Sequence, residues 1–204
     1  AEPALLLLDE PLAAIDAPAA AELRDVLRRV LTDRTTILVT HEPLDAALIA
    51  DRMAVLDGGT VVEEGTVADV LGNPRSAFAA DLLGVNLIPG TAGPAHTVIL
   101  PSGQLIAGRP GPQGAVPDGQ PALARFAPSA VVVHLTQQVG SARNTIPGTI
   151  TGIEPLGGLM RLRVDAVRAD VTPAAVAELG LTVGSRVLLS IKAAEVTVVR
   201  GSGD

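Results

Sequence analysis

The spacing of apolar residues changes character part-way along the chain. In the first 84 residues, short continuous apolar runs alternate with stretches of helical spacing; beyond them, brief Val/Ile/Leu-rich stretches are separated by proline and glycine. Residues 4–8, Ala-Leu-Leu-Leu-Leu, lead into Asp9-Glu10-Pro11. This run reads as a fully buried strand whose carboxylates emerge at its C-terminal end, where parallel α/β sheets place their ligands. Asp16 then caps a predicted helix with Pro18 in its first turn. Leu23, Val26, Leu27, Val30 and Leu31 follow the i, i+3, i+4 spacing of one apolar face, expected to pack on a sheet.

Thr35-Thr36-Ile37-Leu38-Val39-Thr40 is rich in β-branched residues and predicts a second buried strand that delivers His41 to its tip. Strand, helix, strand is the signature of an α/β fold. A short helix follows around residues 44–50, and then a hairpin in which residues 53–56 and 60–64 flank Asp57-Gly58-Gly59. Thr66 with Asp69 reads as a capping box, and residues 76–83 as a further helix.

From about Gly84 the density of proline and glycine predicts a small all-β domain, with one helix over residues 172–179. Asn86-Leu87-Ile88-Pro89-Gly90-Thr91 recurs as Asn144-Thr145-Ile146-Pro147-Gly148-Thr149, an offset of 58 positions. Residues 126–131 can be laid against residues 191–196 at an offset of 65. A duplicated unit is implied. The expected organisation is therefore an α/β domain over residues 1–84 and a β domain over residues 85–204, with repeats at about 85–135 and 140–200.

A length of 204 residues suits two small cores. The longest apolar runs fall far short of the roughly 20 residues a bilayer requires. No basic apolar leader opens the chain and it has no cysteine, which removes disulfides and thiolate metal sites, so a cytoplasmic location is expected. A net charge of −7, with Phe78 and Phe126 as the only aromatic residues, argues against nucleic acid as a partner. Fourteen arginines stand beside a single lysine, Lys192.

Four apolar residues followed by Asp9-Glu10 resemble a Walker B strand, which implies an aspartate that orients Mg²⁺ through its water shell and a glutamate that polarises an attacking water. Two solvated acids ending a core strand are the competing reading. His96 and His134 have no companions at metal-ligand spacing, and Asp165 and Asp170 read as turn or strand-end carboxylates.

The segments so far described resemble those of ABC-transporter ATPases. Leu5-Leu6-Leu7-Leu8-Asp9-Glu10-Pro11-Leu12 is similar to the Walker B strand, Ala13-Ala14-Ile15-Asp16 to the D-loop, and Leu38-Val39-Thr40-His41-Glu42 to the switch-histidine strand. The resemblance implies a partial P-loop NTPase fold of ABC type, with ATP and Mg²⁺ as cofactors of the intact protein. It assigns Asp9 to Mg²⁺ through water, Glu10 as the catalytic carboxylate, His41 to the γ-phosphate, and Asp16 to coupling of two ATP sites across a dimer. Ala13 and Ile15 depart from the serine and leucine frequent in the family. A G-x-x-x-x-G-K-[ST] loop needs a Gly-Lys pair, yet the only lysine lies between Ile191 and Ala193. The Leu-Ser-Gly-Gly-Gln signature is missing too. The chain is thus expected to be a fragment, a truncated reading frame or a degenerate copy, whose parent is a transport ATPase and which is inactive alone.

In the second half, Ser141-Ala142-Arg143-Asn144-Thr145-Ile146-Pro147-Gly148 and Val183-Gly184-Ser185-Arg186-Val187, leading to Ile191-Lys192-Ala193-Ala194-Glu195-Val196, resemble molbindin-type TOBE domains. The resemblance implies an OB-like β barrel that binds an oxyanion. A tetrahedral dianion is well held by a hydroxyl, backbone N–H groups and cations. Ser141, Arg143 and Lys192, with Ala193 beside them, supply that set, whereas the first repeat has Leu83, Val85 and Ala127 at the corresponding places. Turn residues on a solvated edge, with Lys192 protecting an exposed strand, are the competing reading.

Together the resemblances imply the C-terminal part of the ATP-binding subunit of a molybdate or tungstate importer. Its expected partners are a second ATPase subunit in a homodimer, membrane permeases and the oxyanion, at the inner face of the cell membrane. Alternatives are a stand-alone molybdate-binding or regulatory module with a vestigial ATPase half, a structural accessory subunit, or a sulfate, polyamine or sugar importer. Half an α/β sheet also leaves strand edges and an apolar face open, so aggregation or dimerisation is expected.

Overall fold

A computed structural model describes residues 3–137 and 140–201. The chain divides into two compact units, Ala1–Leu83 and Gly84–Asp204.

In the first unit, β1 (Leu6–Asp9) and β2 (Thr36–Val39) pair in parallel, with Leu7 opposite Ile37 and Asp9 opposite Val39. Between them runs α1 (Ala17–Leu31), whose first turn is capped by Asp16: its carboxylate accepts from the Ala19 N–H at 3.0 Å. After β2 come α2 (Pro43–Ile49), the antiparallel hairpin of β3 (Arg52–Asp57) and β4 (Thr60–Thr66), α3 (Val67–Gly72) and α4 (Ala77–Leu82). The hairpin turns through Gly58 and Gly59 at φ +54° and +81°, a left-handed pair that glycine adopts without a Cβ penalty. Thr66 and Asp69 form the reciprocal cap of α3, and the Glu63 carboxylate accepts from Arg75 N–H, Ser76 N–H and Ser76 Oγ, tying β4 to the start of α4.

Two sequence expectations change here. Alternate residues of β1 and β2 are exposed, Leu7 by 67% and Ile37 by 54%, so the strands are not fully buried. The sheet is two strands wide, and among the described residues no element of this unit lies over that face. On α1, Val26 and Val30 are exposed, while Ala20 and Leu31 are buried and Arg24 is mostly covered. The inward stripe is thus Ala20, Arg24, Leu27 and Leu31, rotated from the purely apolar face, because Arg24 has a buried partner.

The second unit is built from two sheets. One has the order β7-β6-β5-β9-β15-β8, with β5 at Asn86–Gly93, β6 at Thr97–Ile99, β7 at Leu105–Ala107, β8 at Arg109–Pro110, β9 at Pro121–Phe126 and β15 at Thr197–Arg200. The other has the order β10-β14-β11-β12-β13, with β10 at Val132–His134, β11 at Asn144–Leu156, β12 at Leu159–Val164, β13 at Val167–Val171 and β14 at Arg186–Ile191. Helix α5 (Pro173–Glu178) is capped by Thr172.

β5 and β11 hold equivalent places, each paired with the strand after it and with β9 or β14. The last strands are exchanged: β10 completes the second sheet on β14, and β15 completes the first on β9. One hydrophobic core runs through both sheets, with Val98, Ile106, Leu162, Leu189, Ile191 and Val196 fully buried.

The echoed Asn-x-Ile-Pro-Gly-Thr segments have a physical role in this arrangement. Asn86 and Asn144 are each 1% exposed. Asn86 exchanges both amide bonds with the backbone of Arg168 at 2.7 and 2.8 Å, and Asn144 does the same with Ala107 at 2.7 and 2.8 Å. Each asparagine therefore ties the start of one sheet's central strand to an outer strand of the other sheet. At Gly90 a Cβ would lie 2.4 Å from the Ile99 carbonyl oxygen, and at Gly148 one would lie 2.6 Å from a Val164 methyl, so both positions require glycine for close strand approach.

Candidate functional site

Parallel pairing of β1 with β2 brings together residues that are thirty-one positions apart in sequence. Asp9 ends β1 and is exposed; Glu10 follows at φ +47°, its N–H bonded to the Val39 carbonyl at 2.9 Å. This left-handed turn directs Glu10 across the strand ends to His41, whose Nδ1 lies 2.8 Å from Glu10 Oε1. His41 Nε2 is 3.8 Å from Glu42 Oε1. Asp16 does not join this pair: its carboxylate caps α1. Among the described residues no group of three or more His, Asp or Glu could by itself enclose a metal ion.

The hydrogen bond with Glu10, followed by that carboxylate's negative charge, raises the His41 pKa above its ordinary 6.5. A folded-state pKa above the unfolded one means that the contact's contribution is fully present below about 6.5. It is lost as pH rises through the raised folded value. An imidazole NMR titration is expected to place the His41 midpoint above 6.5 and to return it to the ordinary range in Glu10→Gln.

Beneath this pair lies a network that the sequence reading missed. Asp45, on α2 and 2% exposed, accepts from Arg24 Nε of α1 at 2.6 Å and from Thr40 Oγ1 at 2.9 Å. Arg24 shares its helix face with Ala20, Leu27 and Leu31, and that was the available signal; the setting of Asp45, which follows His41 and Glu42, gave none.

In the second unit, Asn144 of β11 stands opposite Ile191 of β14. Arg143 and Lys192, one step beyond on each strand, therefore leave the sheet at the same end; both are exposed, and among the described residues neither side chain is ion-paired. Ser141 is exposed two residues before Arg143, and Lys192 heads a 3₁₀ turn over Ala193–Glu195, whose first N–H groups lack partners within the turn. The register thus places Arg143 and Lys192, with Ala193 next in sequence, at one strand end, and Ser141 lies on the segment that leads into it. In the first sheet, where Asn86 stands opposite Phe126, the flanking residues are Val85 and Ala127, neither of them charged, and the Arg168 guanidinium donates to the Val85 carbonyl at 3.1 Å. An open groove of about 550 Å³ lies further along the second sheet, lined by Leu135, Pro147, Gly148, Thr149, Arg186, Val187 and Leu188, and shares none of these residues.

Residues 140–198 match the TOBE domain family, from just before Ser141 into β15. The chain is 41% identical over 207 aligned residues to the molybdenum import ATP-binding protein ModC of Mycobacterium tuberculosis, covering 97% of this chain and 56% of that protein. It is 32% identical to the molybdate/tungstate import ATP-binding protein WtpC of Pyrococcus horikoshii, covering 97% and 57%. The chain is a relative of these import ATP-binding proteins and carries a TOBE domain. It spans about half the length of the relatives it matches. A solved structure of the cytoplasmic molybdate-binding protein ModG, with molybdate bound, superposes with a TM-score of 0.49 at 24% identity, over 57% of this chain and 96% of that one. Ser141, Arg143, Lys192 and Ala193 lie inside the TOBE match, whereas β5 to β10 precede it. Among the described residues no helix is long and apolar enough to cross a membrane.

Proposed function

We propose that this chain is the C-terminal part of the ATP-binding subunit of a molybdate or tungstate importer, with a TOBE domain that senses the transported oxyanion. The observation that carries the reading is the convergence of Arg143 and Lys192, with Ser141 and the Ala193 turn, at one end of β11 and β14. Two cations, a hydroxyl able to donate and the N–H groups at the start of a 3₁₀ turn form a set suited to a tetrahedral dianion.

The first unit is then the second half of an ABC-type nucleotide-binding domain, with P-loop NTPase topology completed in the parent protein. Glu10 is its water-polarising carboxylate, and His41 contacts the γ-phosphate, held ready by the 2.8 Å bond between them. Asp9 offers a carboxylate at the strand tip, which fits Mg²⁺ reached through its water shell, since that ion keeps several waters and takes further ligands from phosphates. When bound with ATP, the ion neutralises charge on the phosphate oxygens. Asp16 fixes the start of α1 beside the dimer-facing D-loop. A second ATPase subunit and membrane permeases are the partners, at the cytoplasmic face of the membrane. Without a phosphate-cradling loop or its lysine, this polypeptide does not turn over ATP alone.

Calorimetric titration of the chain with molybdate, tungstate, sulfate and phosphate tests the sensor. Molybdate or tungstate is expected to bind saturably, and Lys192→Ala to weaken binding roughly 10- to 100-fold, the worth of one hydrogen bond to a charged group. Preference for sulfate would reassign the importer. Absence of oxyanion binding at every protein concentration would overturn the sensing role.

A further inference from the structure

The exposed His41 side chain makes one close contact, so its placement depends on the backbone that carries it. That backbone is held from both sides. On one side the Thr40 hydroxyl donates to Asp45 Oδ2 at 2.9 Å, which leaves its lone pairs free to accept; on the other, the Glu42 N–H donates to the same Thr40 Oγ1 at 3.1 Å. The Asp45 N–H in turn donates to the Glu42 carbonyl at 3.1 Å, closing the turn. Asp45 cannot swing away, because its other oxygen accepts from Arg24 Nε at 2.6 Å in a site that water barely reaches.

The order of donors is therefore directional: Arg24 fixes Asp45, Asp45 orients the Thr40 hydroxyl, and Thr40 receives the amide on the far side of His41. We infer that Arg24, Asp45 and Thr40 are positioning residues for His41, setting the turn that presents its imidazole to Glu10. The inference deepens the proposed nucleotide role of Glu10 and His41, on which its functional meaning rests. A buried, charge-assisted network is suited to this task, since its geometry is over-determined while the histidine it serves stays exposed.

The chain has three histidines, so a sample labelled at histidine reports His41 against His96 and His134 as internal references. Thr40→Val removes the hydroxyl but keeps the shape; Thr40→Ser keeps the hydroxyl. In Thr40→Val the His41 midpoint is expected to fall to the ordinary histidine range, and in Thr40→Ser to stay raised. Should Thr40→Val disturb amide signals beyond the turn, Thr40→Ala replaces it with the same expectation. A folded variant without the hydroxyl in which His41 titrates as in the unmodified chain would overturn the inference. No nucleotide enters this experiment, so its failure leaves the nucleotide role standing. Conversely, dispensability of His41 for ATP turnover in the full-length relative would remove that role and leave the positioning network intact.

Discussion

Asn144→Ala is expected to destabilise the β-rich unit by about 2–6 kcal/mol, and Asn86→Ala by a similar amount. Each asparagine is buried and gives both of its amide functions to one backbone residue, Ala107 or Arg168. Alanine removes two hydrogen bonds and strands an N–H and a C=O in a part-buried site, where each unsatisfied group costs about 1–3 kcal/mol. A gap the size of the lost amide remains. The chain has no tyrosine or tryptophan, so intrinsic fluorescence is a poor probe. Denaturation followed through the amide signals of Ala107 and Arg168 reads this unit separately. A loss under about 0.5 kcal/mol, the level of an ordinary surface substitution, would show that the exchanged strands and shared core hold the sheets together without the asparagine bridges.

What could be read from the sequence follows the range of each interaction. The caps formed by Asp16, Thr66 and Thr172 were legible because donor and acceptor lie three residues apart. The Asn-x-Ile-Pro-Gly-Thr echo was legible as a repetition, but its meaning was not, since Asn144 meets a backbone 37 residues away and Asn86 one 82 away. Glu10 and His41 were identified by resemblance to motifs, and their meeting needed the parallel register of β1 and β2. The same resemblance gave Asp16 a part in coupling two ATP sites across a dimer, and its side chain caps the helix it precedes, as the local sequence also implied. Strand burial was over-read at Leu7 and Ile37 because an apolar run records the sheet a sequence is suited to, and here only one neighbour is present. Arg24 was passed over because a charged residue is normally assigned to solvent, and only the buried Asp45 opposite explains its place in the inward stripe.

Asp45 gives the second large effect, with a sign test attached. Asp45→Ala is expected to cost the first unit about 3–5 kcal/mol, because it leaves the Arg24 guanidinium largely covered without its counter-charge. That is a large share of the roughly 5–15 kcal/mol that holds a typical domain together. The unit has a small core around Val55, Val70 and Ala79, so loss of its amide signals near room temperature is the expected readout. The charge pair itself need not be a net stabiliser, since removing both ions from water offsets much of their attraction. Arg24→Met with Asp45→Leu should therefore recover most of the loss, despite removing more polar contacts than the single change. If the double variant is no more stable than Asp45→Ala, the cost lies in the Thr40 hydrogen bond and not in the stranded charge. Recovery of stability without recovery of the raised His41 titration would separate the two tasks of this network, since leucine can fill the space between the helices but cannot accept from Thr40.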